Sequence, residues 1–284
     1  MGTCIYFPFM GSLDKQNALA SLYDWELERD DSQTKFPHRV YRDEEGKIYH
    51  SVTHILKETA PKDQKLALEN WEKKPSSSME RAIACERGNL THSNAEYILK
   101  LAAKLARQSA NRKGVWSTRE DGLERCPKAI TKWALSKAAE SAPKVSWSAA
   151  GYARGLRAYI LERVTAVHAA EFSVLHPEGF AGTCDALLDI DGFGPVICDW
   201  KTSQQTRNEY MLTNYRHQLG AYSIALRHLT GIQAKMALIV VARRSGKPQI
   251  REMNSEELLG SELKFLERHK EFVKMTRKEE LVPA

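Results

Sequence analysis

The 284-residue sequence contains no long apolar run, no internal repeat and no low-complexity segment. A membrane-spanning helix needs about 20 consecutive apolar residues, so these absences exclude such a span. No basic segment followed by a cleavage site begins the chain, and we expect no secretion signal. The five cysteines include no Cys-x-x-Cys pair. An odd, scattered set is typical of reduced thiols, which predicts a cytoplasmic location.

Positive charge is concentrated in one region of the chain. The net charge is +6, but residues 100–170 alone carry 14 lysines and arginines against 5 acidic residues. Such a region can hold a nucleic-acid backbone, or it can be an ordinary solvated helical surface. Three tryptophans lie among the basic residues and could stack on unpaired bases, although helical spacing favours a core position for Trp133; they are Trp116, Trp133 and Trp147.

The most informative segment is residues 182–203. Two short, mostly apolar runs, Ala186–Ile190 and Pro195–Cys198, flank a glycine-rich turn at residues 191–194. Alternation of apolar runs with such a turn predicts a β-hairpin.

Each predicted strand of this hairpin carries a carboxylate where an apolar residue is expected. Asp185 begins the first strand, Asp199 ends the second, and Lys201 follows two residues later. Side chains alternate faces along a strand, so Asp199 and Lys201 point the same way, and the hairpin register can bring Asp185 beside them.

Two carboxylates and an ammonium at one point suit Mg²⁺ or Mn²⁺, because these hard cations take oxygen ligands and substrate phosphate oxygens. A bound ion of this kind polarises a phosphoryl group and generates a nucleophile from water. The alternative interpretation is a surface hairpin with a solvated Asp–Lys pair, which a short motif alone does not exclude.

The hairpin resembles the core of the PD-(D/E)XK nuclease superfamily in its RecB-like branch. That branch combines Gly-x-x-Asp with Asp-x-Lys-Thr on the next strand, here Gly182–Asp185 and Asp199–Thr202. A following helix carries Gln-x-x-x-Tyr, matched by Gln218 and Tyr222, and an earlier helix carries a histidine after Arg-Gly, matched by His92. The segment from His50 to Leu56 is similar to a subgroup that includes the mitochondrial genome maintenance exonuclease and phage exonucleases.

The resemblance implies an α/β fold, with a central mixed β-sheet flanked by helices and a helical lobe over about residues 76–169. It implies an N-terminal accessory segment at residues 1–35 and a single nuclease domain at residues 36–284. Some RecB-like nucleases hold an iron–sulfur cluster through three cysteines after the core. No cysteine follows Cys198, so we expect no such cluster.

The resemblance also implies the site residues. As metal ligands for Mg²⁺ or Mn²⁺ it implies the side chains of His92, Asp185 and Asp199, and the backbone carbonyl of Trp200. Lys201 is expected to position or activate the attacking water. The catalytic set implied by the resemblance is Asp185, Asp199, Lys201, Gln218 and Tyr222.

Two further carboxylates have open roles. Glu96 is one helical turn from His92, so it either orients the imidazole or is a plain helix-face charge. Glu171 precedes the hairpin and is either a further acidic site residue or a charge at a strand edge.

The resemblance predicts a DNA exonuclease acting on single-stranded ends in recombination or repair. The expected partner is single-stranded DNA, with a recombination or single-strand-binding protein as a further candidate, in a bacterial or phage-infected cell. One alternative is a structure-specific endonuclease. Another is a noncatalytic DNA-binding protein on the same fold, which a broken set of metal ligands would indicate.

Periodicity and capping residues also predict the elements outside the hairpin. We expect helices over residues 14–30, 62–73, 76–108, 127–140, 148–169, 208–229 and 255–276, a short helix over 51–57, strands over 171–176, 235–242 and 249–253, a hairpin over 39–50 and a loop over 109–125.

Overall fold

The structure is a computed structural model that describes residue 15, residues 27–31 and residues 38–280, without the side chains of residues 277–280. The strands are β1 Glu28–Asp30, β2 Val40–Arg42, β3 Ile48–Ser51, β4 Ser117–Thr118, β5 Glu124–Arg125, β6 Val164–His176, β7 Phe180–Ile190, β8 Phe193–Thr202, β9 Met236–Ala242 and β10 Gln249–Met253. The helices are α1 Val52–Glu58, α2 Lys62–Glu72, α3 Ser77–Lys113, α4 Lys128–Ser141, α5 Trp147–Arg163, α6 Glu209–Thr230 and α7 Ser255–Glu280.

A mixed β-sheet forms the centre of the molecule, with β7 as its most connected strand. The path through the sheet is β1-β2-β3-β7-β8-β9-β10, and β6 pairs with β7 in addition. The β3–β7 and β8–β9 pairs are parallel, whereas the other pairs of this sheet are antiparallel. Strand β7 pairs with β3 at residues 180–181 and with β8 from residue 186 onward. Residues 182–185 are therefore the stretch of β7 between the part that pairs with β3 and the part that pairs with β8.

Helices cover both faces of the sheet. One buried apolar cluster joins α1, α6 and α7 to the sheet, and a second joins α3, α4 and α5 to it. Along β8 the side chains alternate between the two clusters, with Ile197 in the first and Val196, Cys198 and Trp200 in the second. This helix–sheet–helix layering confirms the predicted α/β architecture with a mixed central sheet.

Several local predictions are confirmed. Strands β2 and β3 form the predicted hairpin. The Ser51 side chain accepts a hydrogen bond from the backbone N–H of His54, which is the expected N-cap of α1. Helix α6 begins after the Asn208 cap and ends at Gly231, whose φ of 67° is the left-handed value that glycine adopts without strain. Cys184 and Cys198 are fully buried core residues, as expected.

Other local predictions are wrong. The helix predicted over residues 148–169 ends at Arg163, because Val164, Thr165 and Val167 are β-branched and enter β6. Helix α3 continues to Lys113, and the rest of the predicted loop contains the β4–β5 hairpin. Of the helix predicted over residues 14–30, residues 28–30 form the edge strand β1. Lys15 is helical, and most of the remaining positions lie outside the described residues.

Trp133 does not have the core position predicted for it. Trp133 is 44% exposed and Trp147 is 84% exposed. Trp133 lies outside the buried face of α4, which consists of Ile130, Thr131, Ala134, Leu135 and Ala138. In the part of the chain that the structure describes, no helix combines the length and apolarity required to cross a bilayer.

Candidate metal centre

The β7–β8 pair brings two aspartates to one point. Ala186 pairs with Cys198, so Asp185 and Asp199 lie one step beyond this pair, at the position where β8 leaves β7. The Oδ2 atom of Asp185 accepts a hydrogen bond from the backbone N–H of Trp200 at 2.5 Å. Both carboxylates are buried. The predicted alignment of the two aspartates therefore occurs, with Asp185 in the middle of its strand rather than at its start.

Helix α3 adds the imidazole. The Nδ1 atom of His92 is 3.3 Å from Asp185 Oδ1 and 3.8 Å from Glu171 Oε1. Arg87, one and a half turns earlier, is buried and donates from Nε to Thr202 Oγ1 at 3.3 Å. This contact ties α3 to the end of β8, which fixes the height of His92 above the strands.

Glu171 reaches the site through an unusual backbone conformation. Ala170 pairs with Ala186 and Phe172 pairs with Cys184, so Glu171 lies across from Asp185. Its φ is 46°, a left-handed value within a strand that is costly for a residue with a Cβ. Ligand atoms of His92, Glu171 and Asp185 all lie within 4.8 Å of one another. Of the two roles considered for Glu171, the structure therefore supports the one within the site.

Lys201 lies on the same face of β8 as Asp199. Its Nζ atom donates to Asp199 Oδ1 at 2.5 Å and lies 4.9 Å from the ring centre of Tyr215 on α6. Burial lowers the pKa of Lys201, but the charges of Asp199 and Asp185 outweigh burial and raise it above the ordinary value. The ammonium is therefore charged at neutral pH and is poorly suited to act as a general base.

The pKa values of the site groups reflect burial, opposed by the charges of neighbouring groups. Burial opposes the charge on His92, yet Asp185, with a further contribution from Glu171 as acceptor, raises the pKa of His92 to about 10. Burial raises the pKa of Glu171, and burial raises that of Asp199 to about 6 despite Lys201. Burial acts in the same direction on Asp185, but His92 and Lys201 lower its pKa. Without another cation, a proton on His92 compensates the acidic groups.

The donor set fits a divalent cation. Asp199 Oδ2 is buried and has no hydrogen-bond partner among the described residues. An unused carboxylate oxygen in a buried site is costly unless a cation or donor binds it. Oxygen donors with one imidazole suit Mg²⁺ or Mn²⁺. His92, Glu171 and Asp185 form one group of candidate ligands; Asp199 is outside that group but lies across from Asp185 on β8.

Gln218 and Tyr222 lie next to the centre, on α6. Gln218 Nε2 donates to the Tyr222 hydroxyl at 3.0 Å, and both side chains are buried. The Tyr222 ring packs against Gly182, where an added Cβ would be 2.5 Å from Tyr222 Cε1. The glycine of Gly-x-x-Asp is therefore needed here for a close approach of α6 to β7.

A groove reaches the site at Tyr215 and Gln218. Its volume is about 540 Å³, and it lies between α1, α2 and α6. Residues lining it include Thr53, Leu56, Gln64, Leu68, Tyr215 and Gln218.

The remaining predicted site residues are less closely involved. Glu96 Oε1 accepts from Lys100 Nζ at 2.8 Å, one turn along α3, which fits the helix-face role, and its charge also raises the pKa of Glu171. Trp200 contributes its N–H to Asp185, and metal binding by its carbonyl stays a prediction. Sequence reasoning did not assign a site role to Tyr215 or Arg87. Tyr215 shares a helix face with Gln218 and Tyr222, which is the signal that could have found it.

Comparison with known proteins identifies one family. The sequence matches the family model of the PD-(D/E)XK nuclease superfamily over residues 64–281, which is more than half of the chain. The match spans α3, the β7–β8 pair and α6, and so includes the whole of the candidate metal centre. No curated protein matches the chain.

Proposed function

Because the chain belongs to the PD-(D/E)XK nuclease superfamily, we propose that it is a metal-dependent deoxyribonuclease that hydrolyses DNA from single-stranded ends. The observation that carries the metal dependence is the buried, unpartnered Oδ2 atom of Asp199 beside a second buried aspartate. The preference for single-stranded ends rests on the resemblance of the sequence motifs to the RecB-like branch.

The proposed ligands are the side chains of Asp185, Asp199 and His92, with Glu171 as a further carboxylate at 3.8 Å from the imidazole. When bound, Mg²⁺ or Mn²⁺ would polarise the scissile phosphate and lower the pKa of a coordinated water. The imidazole of His92 would then be neutral, because a metal-binding nitrogen cannot carry a proton.

Lys201 supplies a fixed positive charge beside the ligands. Its Nζ is held by Asp199 and by the face of the Tyr215 ring. We assign it to orienting the attacking water and stabilising charge that builds on the phosphate. Gln218 lines the groove and is oriented by Tyr222, so its amide is suited to hold a phosphate or a neighbouring base.

The test is digestion of end-labelled, linear single-stranded DNA by the purified chain with Mg²⁺. We expect progressive shortening from an end, no cleavage with excess chelator, and no cleavage of a covalently closed single-stranded circle. Cutting of the circle would instead indicate an endonuclease. Absence of both cleavage and divalent-ion binding by calorimetry would indicate a noncatalytic DNA-binding protein.

The role of Lys201 is tested by Lys201→Ala. We expect a loss of cleavage of at least about 10²-fold with DNA affinity retained, since the lysine acts on the transition state. Lys137→Ala, at an exposed lysine on α4, is the matched control and should cleave normally. Full activity in Lys201→Ala would contradict the assigned role.

A further inference from the structure

Three histidines from separate elements meet outside the nuclease centre. His38 precedes β2, His50 lies on β3 and His54 lies on α1. One nitrogen of each lies within 4.8 Å of the others. His38 Nε2 is 3.1 Å from His50 Nδ1, and the His38 and His54 rings are stacked with their centres 3.4 Å apart.

This cluster is separate from the carboxylate site. His50 pairs with Phe180 on β7, and Asp185 is five positions further along that strand. At about 3.3 Å per residue the two points are roughly 16 Å apart. No residue is shared between the two groups of candidate ligands.

Burial disfavours the charged form of all three imidazoles. The Phe272 ring contacts His50 and His54 edge-on, with ring centres 5.0 and 5.5 Å away. Burial, with the neighbouring His38 and His50, lowers the pKa of His54 to about 4. Burial also lowers the pKa of His50 and of His38.

We propose that His38, His50 and His54 bind a transition-metal ion of the Zn²⁺ class, with water or Glu58, which lies outside the group of three, in the fourth position. Glu58 Oε1 is 3.8 Å from His54 Nδ1, one turn away on α1. A tetrahedral ion with bonds of about 2.0–2.1 Å separates its nitrogen ligands by roughly 3.3 Å, close to the His38–His50 distance. The His38 and His54 rings are stacked in the structure, so both must rotate about their side-chain bonds to direct a nitrogen at the same ion.

The ion has a structural role. It joins a residue two positions before β2, the end of β3 and the first turn of α1, and so fixes the β2–β3 hairpin to that helix. Helix α1 contributes Thr53, Leu56 and Lys57 to the groove that leads to Gln218. A metal bound to the folded chain alone raises the melting temperature by mass action.

The test is a Co²⁺ titration of the full chain carrying Asp185→Asn and Asp199→Asn, which removes two carboxylates of the nuclease centre. We expect one Co²⁺ per chain with the visible absorption of a tetrahedral site, and displacement by Zn²⁺. Adding His50→Gln or His54→Gln should weaken Co²⁺ binding at least about 10-fold. The matched control is His228→Gln, at a half-buried histidine on α6 that lies outside the cluster, and it should bind normally.

Equal Co²⁺ affinity in the cluster and control variants would overturn the proposal, as would absence of binding. Where a cluster variant fails to fold, X-ray absorption of the Zn²⁺-loaded full chain replaces it. Three imidazole ligands in that spectrum support the site, whereas a shell of oxygen ligands overturns it. Neither result depends on cleavage of DNA, so the metal site and the nuclease proposal can fail independently.

Discussion

Strand β7 carries two buried aspartates, four residues apart, in opposite situations. Asp189 Oδ1 accepts from His168 Nε2 at 2.9 Å and from Arg125 at 3.1 Å, and Asp189 Oδ2 accepts from Arg125 Nε at 2.5 Å. Arg125 also pairs with Asp121 at 2.7 Å. Burial alone would raise the pKa of Asp189, but the hydrogen bonds from His168 and Arg125 hold it well below its usual range.

At the Asp185 end, acidic groups exceed their partners. Three carboxylates, from Glu171, Asp185 and Asp199, face two cationic side chains, His92 and Lys201. One carboxylate oxygen has no partner among the described residues, and Glu171 has a left-handed backbone. Burial of a carboxylate is thus common to both ends of the strand. At Asp189 both carboxylate oxygens accept hydrogen bonds, and we call this the saturated end of β7. At the Asp185 end one carboxylate oxygen lacks a donor among the described residues, and we call this the unsaturated end. A saturated carboxylate stabilises the fold, whereas the unsaturated end has an oxygen that can bind a cation.

The largest expected effect on stability is at the saturated end. Arg125→Met leaves Asp189 buried and short of partners, which should lower the free energy of unfolding by about 3–5 kcal/mol. Urea unfolding measures the loss. Arg119→Met is the control, because Arg119 is 46% exposed and 3.5 Å from Asp189, and it should cost less than about 1 kcal/mol. Similar losses in both variants would show that the buried network contributes little.

At the unsaturated end the expected effect is on activity. Asp199→Asn removes a proposed metal ligand and should lower the cleavage rate at least about 10²-fold, while the free energy of unfolding changes by less than about 1 kcal/mol. The control Asp191→Asn alters an exposed turn aspartate paired with Arg163 and should cleave normally. A stable Asp199→Asn chain with full cleavage would remove the basis for the metal centre.

Lowering the pH should reduce the stability that Asp189 contributes at the saturated end. The pKa of Asp189 is lowered in the folded chain, so its contribution to stability is present above the ordinary value near 4 and is lost as the pH falls below it. Urea unfolding between pH 6 and pH 3 should therefore show a steeper loss in the wild type than in Arg125→Met. Parallel pH profiles would contradict the depressed pKa of Asp189.

The smallest expected effect concerns the contact between α6 and β7. Gly182→Ala places a Cβ 2.5 Å from the Tyr222 ring and should cost about 1–3 kcal/mol. Gly88→Ala is the matched control on α3, because its Cβ would be 3.9 Å from Thr202 and alanine favours a helix. Urea unfolding should show Gly88→Ala to be unchanged or more stable, and equal destabilisation of both variants would refute the steric argument.

Much of this molecule could be predicted from local sequence signals. The hairpin of β7 and β8 has apolar strands and a glycine-rich turn, and the structure confirms the predicted strands. Helix α6 begins after the Asn208 cap and ends at Gly231, and the structure confirms the predicted helix. The predicted strand over residues 171–176 is shorter than β6, because Val167 also fits a helical periodicity. Pairing with the full length of β7 makes residues 164–170 part of the strand instead.

The site was predictable where residues share a motif and unpredictable where only register joins them. Asp199 and Lys201 lie on one strand face, as alternation requires. The approach of Glu171 to His92 depends on the pairing of β6 with β7 and on a left-handed backbone at a glutamate, which no local pattern indicates. Arg125 is likewise 64 residues from Asp189 in sequence.

The length of α3 has a mechanical consequence. The helix has 37 residues, which corresponds to about 55 Å, and His92 lies near its middle. Apart from Ser77, the buried positions of α3 run from Arg87 to Ala110, where the helix packs against α4, α5, β6 and β8, whereas residues 78–86 are mostly exposed. His92 is therefore anchored within the packed part, and a displacement of the exposed first turns would have to pass Arg87 before it reached the imidazole.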